Sequence, residues 1–186
     1  MAFSIAPHLH PYQQSLEPPF DVAADCGARL VKMGHLVASA AVIHSGRILL
    51  LQRAAHSFQP LLWELPGGRC EPRDASIMAS AVRELWEESG LIATEVLDVV
   101  GTFDWHDGTE VWRKFTFLVG VEHDDRDGGL PLVKLDPNEQ NAFVWATEEE
   151  VVADKCGAVA LDWTSEDQKR MVVNAFVMAR NGSHSP

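Results

Sequence analysis

Cysteine is scarce in this chain: Cys26, Cys70 and Cys156 are all that 186 residues contain. The number is odd, the spacing is wide and no C-x-x-C pair occurs. Neither a disulfide scaffold nor a zinc knuckle is encoded. Free thiols in a reducing compartment are the reading that remains. No obvious activating group neighbours any of them, so Cys70 is read as a buried thiol rather than a nucleophile. Positive charge is also short, with 15 Lys+Arg against 27 Asp+Glu and a net charge of -12. A protein that grips nucleic acid by its backbone needs a basic surface, so no long nucleic acid is expected as a partner. A small phosphorylated ligand stays open, because a divalent cation reverses the local sign.

Other absences narrow the field further. The longest apolar run, LVASAAVI, is too short to cross a bilayer, so no membrane partner is expected. The first residues, MAFSIAPHLHPYQQ, have neither a basic n-region nor an apolar h-region, which predicts no secretory signal and a soluble, cytoplasmic protein. There is no G-x-x-x-x-G-K-[ST] loop, which excludes a P-loop kinase by motif. The 8 histidines show no i, i+4 pair and no H-E-x-x-H context, so a zinc protease or deaminase is unsupported. Neither internal repeats nor low-complexity tracts are present.

What is present fits one domain with a real core: the apolar fraction is 46% and the charged fraction 23%. Residues 1–34 carry Pro7, Pro11, Pro18 and Pro19, which predict an extended arm belonging to the same unit. The domain proper is expected over 35–181, with a disordered tail at 182–186. Strands are expected at Leu36–His44 and Arg47–Gln52 around a Ser45-Gly46 turn, then a loop through Pro66-Gly67-Gly68. A helix should run from Asp74 to Ser89, capped by Ser76 or Asp74 and stopped by Gly90. A strand at Thr94–Thr102 precedes a hairpin turning at Asp107-Gly108. NAFVWAT reads as a short strand, EEEVVADK as a small helix, and SEDQKRMVVNAFVMARN as a last helix with Met171, Ala175 and Met178 on one side. Without strict β-α alternation, a mixed sheet flanked by helices fits best, in the α/β class.

The helix from 74 to 89 carries the chemistry. On a wheel of about 100° per residue, Glu88 lies about 40° to one side of Glu84 and Glu87 about 60° to the other. Met78, Ala81, Val82 and Leu85 form the apolar face beside them. Three like charges in one patch repel, and they crowd the end where the helix dipole disfavours anions. A hard cation such as Mg²⁺ or Mn²⁺ removes both problems, since it prefers oxygen ligands. For RELWEES alone, a solvated acidic face explains the pattern equally well. The Gly67-Gly68 turn, which lets backbone approach a ligand, favours the metal. Arg83 can reach Asp74 or pair with Glu87; the bland alternative is a surface ion pair worth under about 1 kcal/mol.

From Gly68 to Leu91 the stretch resembles the Nudix hydrolase family, whose signature is a glycine, five residues, a glutamate, seven residues, then Arg-Glu-aliphatic-x-Glu-Glu-x-Gly-aliphatic. Gly68, Arg83, Glu84, Leu85, Glu87, Glu88, Gly90 and Leu91 match. The flanks LLLQR, LWELPGG and EQNAFVWATEEEV look like the family too. Two departures appear. Asp74 stands where the pattern has Glu, and eight residues rather than seven separate it from Arg83. The extra residue predicts a longer lead-in to the helix, a weakened Asp74–Arg83 pairing, and Glu71 sharing the loop acid's role.

The resemblance implies an α/β/α sandwich with a mixed sheet. It implies a metal-dependent pyrophosphohydrolase that cuts the diphosphate linkage of a nucleoside diphosphate derivative, with Mg²⁺ or Mn²⁺ as cofactor. By similarity Glu84, Glu87 and Glu88 hold metal, with the Gly67 carbonyl as a further ligand. Arg83, Glu84, Glu87 and Glu139 become the catalytic candidates, Glu139 against the alternative of a solvated loop acid. Metal neutralises phosphate charge, lowers the pKa of bound water and aligns it with phosphorus. Arg53 and Arg69 are candidates for phosphate, against plain surface cations. Among the 6 tryptophans, Trp105 and Trp112, with Phe58, are candidates to stack on a base, against ordinary core packing; Trp145 reads as core. Two further readings stay open: the same chemistry on an isoprenyl or inositol-type diphosphate, and a non-catalytic binding module on the same fold. A homodimer is left open.

Overall fold

A computed structural model describes residues 2–13, 16, 35–108, 110–123 and 129–182. Cys26, most of the expected arm and the last four residues lie outside the described residues. Two sheets form the middle of the protein. The first has the order β1 (Ser4–Ile5), β7 (Ala93–Asp107), β8 (Glu110–Val121), β2 (His35–Ala41) and β6 (Gly67–Arg69). It is mixed, because β1 runs parallel to β7 and β2 parallel to β8, while the other pairs are antiparallel. The second is built on β4 (Arg47–Arg53), which pairs with β3 (Ile43–His44), β5 (Trp63–Glu64) and β9 (Gln140–Thr147).

Strand β4 shows why the fold has helices on both sides. Its side chains alternate with period two. Leu49 and Leu51 enter one core cluster and Ile48 and Leu50 the other, all four fully buried. A strand apolar on both faces must be covered twice. Helix α1 (Ile77–Ser89) covers one face with Ile77, Met78, Ala81, Val82 and Leu85. Helix α3 (Glu166–Gly182) covers the other with Met171, Val172, Ala175 and Phe176. This is the α/β/α sandwich that the resemblance implied. Among the described residues, no helix is long and apolar enough to cross a membrane.

Several expected elements are corrected. The strand expected over Leu36–His44 breaks at Val42, so β2 and β3 serve different sheets. The expected loop before Gly68 contains β5 and β6. Part of the N-terminal segment is not extended: Pro7–Gln13 forms a 3-10 helix whose Leu9 is buried against α1's cluster. Asp107 pairs with Glu110, so the hairpin turn opens at Gly108 (φ 59°) rather than at Asp107. Helix α2 (Glu148–Val152) stops three residues early, because Asp154 takes a positive φ and leads into the hairpin of β10 (Lys155–Cys156) and β11 (Val159–Ala160).

Candidate active site

Helix α1 begins at Ile77 because Ser76, in an extended conformation, accepts the Ala79 N–H at 3.1 Å. It ends at Gly90, whose left-handed φ of 70° favours glycine. Asp74 is not the cap. It anchors the loop instead, accepting from the Glu71 N–H at 2.8 Å and the Ser80 hydroxyl at 2.6 Å. Arg83 closes on it with two parallel bonds, Nε at 2.9 Å and Nη2 at 3.0 Å. The expected weakening of this clamp is therefore overturned: the extra residue does not part the pair. Glu71 does not stand in either, since its carboxylate pairs with Arg73 at 2.5 Å. Burial works against the charged form of Asp74, but the bonds from Arg83, Ser80 and the Glu71 N–H outweigh it and hold its pKa at about 2.

The other end of Arg83 reaches two of the helix carboxylates, Glu84 Oε1 at 2.8 Å and Glu87 Oε2 at 2.7 Å. Glu84 and Glu88 are nevertheless buried beneath strand β6. Glu88 accepts the Gly67 N–H at 2.7 Å and the Gln140 amide at 2.6 Å. Close approach requires glycine at Gly67, where the neighbours include backbone, and at Gly68 any side chain would displace the Glu84 carboxylate. A Cβ on Gly68 would lie 2.7 Å from the Glu84 carboxylate, and one on Gly67 would lie 2.5 Å from the Ala38 carbonyl oxygen.

Glu139, from the loop before β9, completes the group. Oxygens of Glu84, Glu88 and Glu139 come within 4.8 Å of one another. Glu87 stays outside that group, held by Arg83 and 3.7 Å from Arg73. The wheel places Glu87 with the other two; the chain's return before β9 supplies Glu139 instead. An all-oxygen set of this density suits a hard divalent cation. Its electrostatics agree: burial first, then neighbouring carboxylates, push Glu84 up to about 7 despite Arg83. Burial and Glu64 push Glu88 well up, and burial with Asp136 raises Glu139.

These shifts give the metal-free protein a pH signature. Each folded pKa lies above that of the unfolded chain, so folding holds protons that the unfolded state has released. The associated stability is fully present below about pH 4.5 and is lost as pH rises through about 7. The melting temperature of EDTA-treated protein is expected to fall by about 3 °C or more between pH 5 and 7.5. Millimolar Mg²⁺ should suppress the fall. Scanning fluorimetry across that range checks it; a flat profile in EDTA would count against the buried acid cluster.

Beside the carboxylates lies a cavity of about 610 Å³. Gly67 and Gly68 belong to its lining, so cavity and acids share the β6 turn. Arg53, Arg69, Phe58 and Trp105, all singled out in the sequence, line this one space. Arg53 donates to the Phe58 carbonyl at 2.8 Å and ion-pairs with Glu64. Arg69 contacts His35 Nδ1 at 2.5 Å and lies 5.4 Å over the Trp112 ring. Trp105 stacks on Trp112 at 5.6 Å. Glu64, Lys114 and Gln168 are among the residues of this wall that carry no sequence expectation. Lys114 is buried, 3.8 Å from Glu64 and bonded to Gln168 Oε1 at 2.8 Å. Burial lowers its pKa, against Glu64 and Glu88. The signal was in the strand's alternation: Lys114 is in phase with Trp112, Thr116 and Leu118.

A family model described as NUDIX domain matches residues 33–167. The chain belongs to the Nudix hydrolase family. It is similar to the CTP pyrophosphohydrolase of Escherichia coli (strain K12), 37% identical over 116 residues that make up 62% of this chain and 78% of that protein. The E. coli ORF135 protein, 26% identical, superposes with a TM-score of 0.59, covering 82% of this chain and 94% of that one. The MutT protein from Methanosarcina mazei Go1, 23% identical, gives a TM-score of 0.59, covering 78% and 94%, and shares the fold.

As a Nudix hydrolase the chain is an enzyme acting on acid anhydrides of the diphosphate type. Cys70 has no place in that chemistry. Burial pushes its thiol up to about 11. Iodoacetamide at pH 8 is expected to alkylate Cys70 in the folded protein at least about tenfold more slowly than in the unfolded chain. The thiol expected to be buried is half-buried against the core; peptide mass spectrometry over time reads the two rates, and equal rates would mean that this packing does not shield it.

Proposed function

We propose that this Nudix hydrolase is a metal-dependent pyrophosphohydrolase acting on a nucleoside diphosphate derivative. One observation carries the reading: three convergent carboxylates adjoin an aromatic cavity that also presents two arginines. A diphosphate placed at the carboxylates leaves its organic portion beside Trp105, Trp112 and Phe58. Aromatic faces accept a flat base there. The similarity to a CTP pyrophosphohydrolase supports a nucleotide over an isoprenyl or inositol compound.

Glu84, Glu88 and the Gly67 carbonyl, with Glu87 or Glu139 adding oxygens, would hold Mg²⁺ or Mn²⁺, which would neutralise phosphate charge and acidify water. The chain's own residues do the rest. Glu139 or a carboxylate of α1 accepts the proton as water attacks phosphorus and the bond to the bridging oxygen breaks. Arg53 and Arg69 bind the phosphates and offset charge on the departing oxygen. Arg83 acts as a positioning residue, fixing the loop through Asp74 and the carboxylates through Glu84 and Glu87.

Purified protein incubated with Mg²⁺ and a panel of nucleoside triphosphates, nucleotide sugars, dinucleoside polyphosphates and isoprenyl diphosphates tests the reading. Cleavage of nucleotide diphosphate linkages, abolished by EDTA, is expected. Hydrolysis of no member of the panel would sink it, and cleavage restricted to isoprenyl substrates would redirect it.

A further inference from the structure

Val37, Arg69, Trp105 and Trp112 line the cavity, and His35 stands in the same row of side chains. Trp105 of β7 lies opposite Trp112 of β8, Trp112 opposite His35 of β2, and Val37, two residues on, opposite Arg69 of β6. Side chains two residues apart on a strand share a face, so these groups meet on one side of the sheet. The rings lie against one another in turn, Trp105 on Trp112 at 5.6 Å and Trp112 on His35 at 4.1 Å. The Arg69 guanidinium lies over Trp112 and brings Nη2 to His35 Nδ1 at 2.5 Å. A guanidinium only donates, so Nδ1 accepts and carries no proton. The ring's proton is then on Nε2, which donates to Glu110 of β8. Glu110 thus holds His35 in the tautomer that receives Arg69. The His35 side chain is only 16% exposed, although Arg69 and Glu110 are both exposed residues.

The backbone of β6 ties the same arginine to the carboxylates. Gly67 donates to Glu88, Glu84 lies against Gly68, and the Arg69 carbonyl accepts from Arg83 at 3.1 Å. Arg69 therefore joins the acid cluster to the aromatic wall. A diphosphate at the acids, with its base on Trp105 and Trp112, passes this side chain. An exposed arginine that is not held samples many rotamers and must surrender them on binding. We propose that His35 is a positioning residue that, with its Nε2–H on Glu110, holds Arg69 over Trp112 in the pose that meets the substrate phosphates. The inference rests on the nucleotide reading given above, in which Arg69 binds phosphate.

Equilibrium binding of the α,β-methylene analogue of CDP with Mg²⁺, followed by calorimetry, tests this; its P–C–P link cannot be hydrolysed. Arg69→Met is expected to weaken binding at least about tenfold. His35→Phe keeps a ring against Trp112 and deletes both nitrogens, and it should weaken binding at least about fivefold. In the Arg69→Met background the same change should alter affinity by less than about twofold, because it acts only through Arg69. Losses that multiply, or a His35→Phe protein that binds as tightly as the unaltered one, would overturn this proposal and leave the nucleotide reading standing. Undiminished binding by Arg69→Met, or no binding of the analogue at millimolar concentration, would overturn the proposal together with the phosphate role it rests on. Long-range proton–nitrogen correlation NMR gives a second readout that needs no ligand. His35 should carry its proton on Nε2, and a proton on Nδ1 would overturn the proposal. This measurement carries the test if His35→Phe does not fold.

Discussion

Replacing Glu88 with glutamine is expected to lower kcat by at least about a thousandfold while leaving the protein folded. Glu88 is one of the three carboxylates whose oxygens converge, and it sits deepest, at 5% exposure. A neutral amide is a poor partner for a hard cation and cannot offset phosphate charge. The fold should tolerate the change for a specific reason. Glu88 accepts from the Gly67 N–H and from the Gln140 amide, and Gln140 Oε1 is an unpartnered buried acceptor. A glutamine at 88 can keep its oxygen on Gly67 and turn its NH₂ toward Gln140, whose amide needs only to flip. Removal of a buried acid whose charged form is disfavoured should leave the metal-free melting temperature unchanged or higher. Steady-state kinetics with Mg²⁺ and scanning fluorimetry on the same preparation decide it. A kcat within tenfold of wild type would remove Glu88 from the metal site.

Arg83→Met is the change expected to cost the most stability. Arg83 donates to Asp74 twice, to Glu84, to Glu87 and to the Arg69 carbonyl, with its side chain 14% exposed. Methionine fills much of the volume but leaves Asp74, 5% exposed at its side chain, as a buried anion without its cation. Breaking such a pair from one side costs about 3–5 kcal/mol, which for a domain of this size is about 10 °C in melting temperature. Adding Asp74→Asn to the variant should recover part of the loss, because the stranded charge goes with it. A fall under about 3 °C, or a double variant no better than the single, would mean that the clamp is not what holds the loop on α1. Arg83→Lys should also fall short, since an ammonium cannot reproduce the paired bonds.

Sequence reasoning reached the carboxylate helix because its evidence is local. Ser76, Gly90 and the apolar face at Met78, Ala81, Val82 and Leu85 all lie within one turn or two of the residues they govern. The same holds for the Gly67-Gly68 pair, legible as a break in the chain, although what crowds it, Ala38 and Ser39 at Gly67 and Glu84 at Gly68, is not. Arg53, Arg69, Phe58 and Trp105 were nameable one by one, and their shared cavity is a matter of β4, β6 and β7 meeting. What local spacing misplaces is the contact between a loop and the helix that follows it. Counting residues predicted a weakened Asp74–Arg83 pair, yet the lead-in before Ile77 accommodates the extra residue with the pair bonded at 2.9 Å.

By itself the sequence determined the helix, its stop at Gly90, the acid-rich face and the glycine turn, because each depends on spacing along one segment; its start was open between Asp74 and Ser76. Only the tertiary structure decided that Glu139 joins Glu84 and Glu88 while Glu87 turns to Arg83. It alone brought Lys114 of β8 to Gln168 of α3, 54 positions apart, and left Gln168 Nε2 without a partner in the cavity wall. The physical reason is that a hydrogen bond between distant segments is fixed by strand register and sheet closure, which no local periodicity encodes.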